Sequence, residues 1–259
     1  MDKLYRLEYQ GAPRHAVERD GVWRLVEGDI FGPHVLGAAI SAEGLRRLAP
    51  VVPSKIVAVG LNYRDHAAET GKQPPAEPLI FIKPSTAVIG PGDPIRLPPG
   101  VGRVDHEAEL AVVIGKPACR VPKARAAEYV LGQTCANDVT ARELRIREGQ
   151  YTRAKGFDTF APLGPAVAIG LDGSALDVEG WVNGERRQAS NTRELIFPID
   201  HLVWFISSVM TLNPGDVILT GTPAGIGPLK AGDRVTIKVE GVGELTNPVV
   251  GEAEVRSEK

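Results

Sequence analysis

Glu107 and Glu109 stand two residues apart inside Val104-Asp105-His106-Glu107-Ala108-Glu109-Leu110-Ala111-Val112-Val113-Ile114-Gly115, acidic residues where a β-strand should be most apolar. Read at period two, Ala108, Leu110, Val112 and Ile114 share one face and Glu107, Glu109, Ala111 and Val113 the other, so both carboxylates leave the strand on the same side. A second apolar passage, Val130 to Asn137, runs into Asp138, and Thr140 and Glu143 are spaced as a capping box for a following helix, which puts the aspartate at a strand end. Oxygen ligands of this kind suit a hard divalent cation, Mg²⁺ or Mn²⁺, and do not suit zinc. Like charges so close need that cation, or a raised pKa, to coexist. A solvated strand face carrying two ordinary glutamates has the same spacing, and spacing alone leaves both open.

Two further groups have the types for proton and charge handling. Leu61 to Gly71 reads as a short helix with Asn62 as N-cap and Gly71 after its end. His66 and Glu69, three apart, face one side of it, where a carboxylate can orient an imidazole as general base; a routine surface contact has the same spacing. The Pro-, Lys- and Gln-containing stretch to Pro78 makes this helix a candidate mobile lid. Lys155 sits in an otherwise apolar, glycine-containing run, Arg153 to Pro165. Buried against the carboxylates it would stabilise an oxyanion or enolate; as a surface lysine it would do nothing of the kind.

The elements that must position these groups are mostly strands. The 29 glycines and 21 prolines punctuate short β-like runs. Residues 1–49 read as Leu4–Tyr9, His15–Glu18 and Val22–Val26 with a hairpin turn at Asp20-Gly21, a small antiparallel β domain over 1–52. Pro50 to Pro53 then break the pattern before Lys55–Gly60 opens a main domain over 53–259. Leu79–Lys83 is a strand, and Gly90 to Gly102 reads as a turn-rich connection without regular structure. Lys123–Val130 and Thr140–Glu148 look helical. Further on come strands over 175–182, turning at Asn183-Gly184, and over 216–220, 234–240 and 244–250, interrupted by a helix over 199–212 whose Trp204 and Met210 read as core. Gly221-Thr222-Pro223-Ala224-Gly225-Ile226-Gly227 resembles an anion-cradling loop for a carboxylate.

Composition narrows the function. At 259 residues and 43% hydrophobic the chain is long enough for one large domain with a satellite. A formal net charge of -2 with no basic stripe argues against nucleic acid and anionic membrane as partners. Two cysteines in no metal-type spacing, no apolar signal core and no run near the length of a membrane helix point to a cytoplasmic setting.

Val59-Gly60-Leu61-Asn62-Tyr63, the Glu-x-Glu at 107 and 109, Asn137-Asp138-Val139-Thr140-Ala141-Arg142, Lys155-Gly156-Phe157-Asp158 and Thr220-Gly221-Thr222-Pro223 occur in one order. Together they resemble the fumarylacetoacetate hydrolase family over about residues 53–252. The resemblance implies a mainly β protein with some α, a mixed β-sandwich roll that is usually a homodimer, with Mg²⁺ or Mn²⁺ on Glu107, Glu109 and Asp138. It implies small 2-oxo acid or diacid substrates, with Lys155 on the enolate, His66 and Glu69 handling a proton or a water, and Arg142 and Thr222 holding substrate. Where many relatives carry glutamine, this chain has Arg145, which would add a carboxylate clamp if it faced the site. The expected activity is that of a 2-hydroxyhepta-2,4-diene-1,7-dioate isomerase or decarboxylase of aromatic catabolism. Acylpyruvate C–C hydrolysis, oxaloacetate decarboxylation and a non-catalytic binding role on the same roll are the alternatives.

Overall fold

The alternation read in residues 107–114 builds the core. In the computed structural model, whose described residues are 1–251, the strand Ala108–Ile114 is buried along its whole length. Its Ala108 and Leu110 pack with Val178, Ile237 and Leu245. Val112 and Ile114 pack with Leu202, Val203 and Ile206, and Ala111 and Val113, from the other face, with Leu163, Val167 and Leu219. Both faces are covered, so the strand reads as almost continuously apolar, with Glu109 the exception inside it and Glu107 just before its start.

This strand lies near the middle of a 12-stranded mixed sheet. Across it run His34–Ile40, Val22–Gly28, Ala12–Arg19, Lys3–Tyr9, Ala161–Ile169, Val130–Asn137, Ala108–Ile114, Val217–Leu219, Ile56–Gly60 and Leu79–Lys83, with the two-residue strands Arg47–Leu48 and Val88–Ile89 paired off this path to Lys3–Tyr9 and Ala161–Ile169. The N-terminal strands join it where Lys3 and Leu4 pair with Ala168 and Val167. Val217–Leu219 and Ile56–Gly60 are parallel, which makes the sheet mixed. A second sheet of five strands, Glu185–Asn191, Asp177–Val182, Arg234–Val239, Gly243–Gly251 and Ile95–Leu97, packs on one face of the first. The helix Ile199–Val209 covers that face further along, through Leu202, Val203 and Ile206. The result is the expected mainly β sandwich roll, and no helix among the described residues is long and apolar enough to cross a membrane.

Several local expectations differ. The short helix runs Arg64–Glu69 with Tyr63 at its N-cap position. Asn62 does not cap it, because its carboxamide is taken by the Phe197 N–H and the Phe197 and Thr220 carbonyls. Thr140 and Glu143 form no capping box: the Thr140 hydroxyl donates to the Asp138 carbonyl and Glu143 accepts from the Arg103 N–H, while the helix is Arg142–Glu148. Lys123–Tyr129 is a 3₁₀ segment. His34–Ile40 is a strand with no counterpart in the reading of residues 1–49, and Ile95–Leu97 is a strand inside the proline-rich connection. Trp204 is 38% exposed, on the outer side of its helix.

Candidate active site

Antiparallel pairing brings the aspartate to the glutamates. Ala108 is in register with Asn137 and Glu109 with Ala136. The ladder continues past the strand end, where the Asp138 N–H donates to the Glu107 carbonyl and the Asn137 side chain accepts from the Glu107 N–H. One carboxylate oxygen from each of Glu107, Glu109 and Asp138 lies within 4.8 Å of the others, and all three residues are buried. The solvated-face reading of the glutamates is thereby removed.

Cations surround this cluster unevenly. Lys155, on the short helix Thr152–Lys155, donates to Glu107 Oε2 at 2.7 Å and to Asp138 Oδ2. Lys83, wholly buried at the end of Leu79–Lys83, donates to Asp138 Oδ1 and to the Val139 and Phe160 carbonyls. Arg142 is tied to Asp105, at 2.8 Å, and to Glu107 Oε1. Among the described residues Glu109 receives only the Gly221 N–H, at 2.7 Å. Gly221 is at φ +100° and a Cβ there would sit 2.8 Å from Asn62 Cβ, so only glycine lets the loop come this close.

The electrostatics follow. Burial raises the Glu109 carboxyl well above the ordinary range, and the Asp138 and Glu107 charges push it further. Burial works upward on Glu107 as well, but Lys155 and Arg142 outweigh it and hold that carboxyl at about 2. Burial works against the Lys155 ammonium, yet Asp138 and Glu107 prevail and raise its pKa. For Lys83 burial wins, with the Lys155 charge adding to it, and the pKa falls despite the Asp138 partner. Three hard oxygen donors, one of them poorly matched by protein cations, fit a divalent ion of the Mg²⁺ or Mn²⁺ kind.

Above the cluster lies a cavity of about 420 Å³. Its walls bring together His66, Glu107, Glu109, Arg142, Arg145, Lys155 and Thr222; Glu69 and Asp138 stand behind them. His66 Nδ1 is 2.9 Å from Glu69 Oε2, and Glu69 Oε1 accepts from the Gly225 N–H at 3.0 Å, so the dyad helix is tied to the 221–227 loop. Leu61, which feeds that helix, is held at φ 49°, a left-handed conformation stored beside the site. Arg145 reaches the cavity with its guanidinium 3.9 Å from the Tyr151 ring centroid and no ion-pair partner among the described residues. Tyr151 stacks on Phe81 at 4.3 Å, and Lys155 Nζ lies 5.2 Å from the other ring. Sequence reasoning missed this stack and Lys83. A lysine closing the apolar run Leu79-Ile80-Phe81-Ile82 was the available signal for Lys83; nothing local marked Tyr151.

Three comparisons bear on this site. The crystal structure of 2-hydroxyhepta-2,4-diene-1,7-dioate isomerase from Mycobacterium marinum is 42% identical and superposes with a TM-score of 0.90 over 97% of this chain and 99% of that one. The mitochondrial oxaloacetate tautomerase fahd2 of Xenopus laevis is 42% identical over 82% of this chain and 70% of its own length. Fumarylpyruvate hydrolase from Pseudomonas aeruginosa, solved in complex with Mn²⁺ and pyruvate, is 34% identical with a TM-score of 0.74, covering 80% of this chain and 92% of that one. The sequence model described as fumarylacetoacetate (FAA) hydrolase C-terminal matches residues 55–250, so the chain belongs to the fumarylacetoacetate hydrolase family.

Proposed function

We propose that the chain is a divalent-metal-dependent enzyme of 2-oxo and 2-hydroxydienoic diacids, of the 2-hydroxyhepta-2,4-diene-1,7-dioate isomerase/decarboxylase type. The observation that carries this reading is the Lys155 ammonium, buried against Glu107 and Asp138 at the floor of a cavity whose wall bears the Arg145 guanidinium, which has no ion-pair partner among the described residues. Glu107, Glu109 and Asp138 would hold the cation, which when bound supplies Lewis-acid polarisation of the substrate's carboxylate and 2-oxygen.

Lys155 presents a fixed positive charge to the 2-oxygen as it becomes an enolate oxygen. In isomerisation a proton leaves one carbon of the conjugated diacid and returns at another, and His66 is the group on the cavity wall able to carry it, its Nδ1 oriented by Glu69. In decarboxylation the electron pair of the broken C–C bond passes to the same 2-oxygen as CO₂ leaves, and no base is required. Arg145 pairs with the second carboxylate, and Arg142 and Thr222 complete the wall that holds the first.

A second reading, acylpyruvate C–C hydrolysis, is favoured by the assembled His66–Glu69 hydrogen bond, since a water must then be deprotonated. Oxaloacetate, as substrate of tautomerisation or decarboxylation, belongs on the same panel. A non-catalytic roll has no use for a lysine kept buried between carboxylates. The proposal includes a homodimer, supported by the exposed Trp204 and Val209 on one helix, and a cytoplasmic setting, supported by two free cysteines. Nucleic acid and membrane have no part in it.

The test is turnover of a 2-hydroxydienedioate, an acylpyruvate and oxaloacetate after EDTA treatment and again after Mg²⁺ or Mn²⁺ is added. Activity on the dienedioate, lost and then restored, is expected; a metal-loaded protein that turns over none of the three would defeat the reading.

A further inference from the structure

The second sheet sends one polar side chain into the back of the site. Gln188, on Glu185–Asn191, is 1% exposed and makes four hydrogen bonds through its carboxamide. Oε1 accepts from the Ala108 N–H at 2.9 Å and faces His106 Nδ1 at 3.1 Å. Nε2 donates to Thr222 Oγ1 at 2.8 Å and to the Pro223 carbonyl at 2.9 Å. A backbone N–H can only donate and a carbonyl only accept, so the two ends of the amide are assigned without ambiguity. Two proton positions follow. His106 carries its proton on Nδ1, and the Thr222 hydroxyl, accepting from Gln188, gives its own proton to the Ala108 carbonyl at 2.9 Å.

Ala108 is the residue between Glu107 and Glu109. The neighbouring strand Val217–Leu219 pairs with the acidic strand only over Ala111 to Val113, so it does not reach the Ala108 N–H and C=O. Buried backbone groups left without partners are costly, and here two side chains close them: Gln188 takes the N–H and Thr222 the carbonyl. Space is reserved for this. At Gly180, in register with Gln188, a Cβ would lie 2.8 Å from Gln188 Oε1 and 3.2 Å from Ala108 Cβ.

We propose that Gln188 is a positioning residue: by clamping Ala108 and Thr222 to one amide, it sets the gap between the Glu107 and Glu109 carboxylates and fixes Thr222, on the cavity wall, to the same point. The inference rests on the reading of those carboxylates as metal ligands. Partners of this kind, one step behind a ligand, change metal affinity by about 10–100-fold when removed.

The variants Gln188→Leu, which loses both arms of the amide, and Gln188→Glu, which when ionised keeps the acceptor and loses the donor, separate the two effects. In Gln188→Leu the Mn²⁺ Kd, read by titration of the Mn²⁺ spin-resonance signal, rises about tenfold or more. The Ala108 amide, read by hydrogen exchange, loses protection by roughly 10²-fold. In Gln188→Glu the Mn²⁺ Kd stays within about threefold or tightens, while KM rises about tenfold because only the Thr222 arm is released. A purely structural role would lower Tm and leave Kd and KM of the folded protein at parental values, which overturns the proposal. Should Gln188→Leu not fold, Gly180→Ala crowds the same amide and must weaken Mn²⁺ binding; an unchanged Kd there also overturns it. A parent that bound no Mn²⁺ would sink the metal reading, and the positioning claim would then stand or fall on the Ala108 exchange rate.

Discussion

Lys155 and Lys83 both hold Asp138, but they are not equivalent cations. Lys155 reaches the cavity and its charge is reinforced by Glu107 and Asp138, whereas Lys83 is sealed in and burial works against its charge. On the proposed function, charge stabilisation at the substrate falls to Lys155 and proton transfer to His66. On a decarboxylated substrate Lys155→Ala should lower kcat by roughly 10²–10³, the cost of removing a preorganised positive group, while His66→Ala stays near the parental rate. On an acylpyruvate His66→Ala should cost roughly 10²–10⁴, and Glu69→Gln less. Rates of each variant on the three substrates at fixed Mg²⁺ check this; equal losses in both variants on every substrate would refute separate roles. Arg145 stacks on Tyr151 and pairs with no carboxylate among the described residues. Arg145→Gln should therefore raise KM about tenfold for a substrate with a second carboxylate and leave a monoacid analogue within about twofold, with kcat little changed. Similar KM shifts for both would show that Arg145 does not read the second acid.

At the scale of elements, the strands that bring the three carboxylates together were legible because period-two alternation and apolar runs are local properties of residues 107–114 and 130–137. The residues that join elements were not. Asn62 and Thr140 have the types of helix caps, but the Asn62 carboxamide oxygen accepts from the Phe197 N–H and the Thr140 hydroxyl turns to the Asp138 carbonyl, so neither accepts from a helix N–H. Lys83 closes an apolar strand, but only the pairing of Ile56 with Lys83 and the burial of Asp138 behind it decide that its ammonium points inward. Asp216 is another such junction. It heads Val217–Leu219 and accepts from the Ser54 N–H and hydroxyl, from the Lys55 N–H and ammonium and from the Asn213 N–H, so it fastens the two parallel strands at their starts. Burial pushes its carboxyl up, yet Lys55, Ser54 and Asn213 outweigh that and hold it below the usual range. Asp216→Asn should cost about 2–4 kcal/mol at neutral pH, measured by urea unfolding, because an amide cannot accept all of these donors. A folded pKa below the unfolded value of about 3.9 means the stabilisation is complete above that value and fades as pH falls through the folded pKa. The gap between parent and variant should therefore narrow below about pH 4; a gap that widened there would show that Asp216 is not held as the carboxylate.

On the scale of the whole molecule, what the sequence could not display is that its first and middle thirds form one sheet. Strand pairing across more than 160 positions leaves no local trace, and Lys3↔Ala168 and Leu4↔Val167 are of that kind. The proline cluster at 50–53 separates sequence segments, yet Ala49 and Val51 lie in the same apolar cluster as Leu163 and Val167. On the other face Tyr5, Leu7, Ala16 and Leu25 cover Ala166. The strand Ala161–Ile169 thus has residues 1–52 on both faces and along one edge, while its other edge pairs with Val130–Asn137, the strand that delivers Asp138. A chain beginning at residue 53 would expose that apolar edge, a ready template for aggregation, and would lose the burial of several large side chains at about 1.5–3 kcal/mol each. Against a net stability of about 5–15 kcal/mol this is most of what holds the fold, so the fragment should be insoluble or melt on the order of 10 °C or more below the full chain. Loss of order should reach Asp138 through the shared ladder, so the surviving soluble fraction should bind Mn²⁺ at least about tenfold more weakly. Calorimetry and Mn²⁺ titration on the fragment decide it: a monodisperse product with parental Tm and parental Mn²⁺ affinity would mean that residues 1–52 are an appendage and that the catalytic roll stands without them.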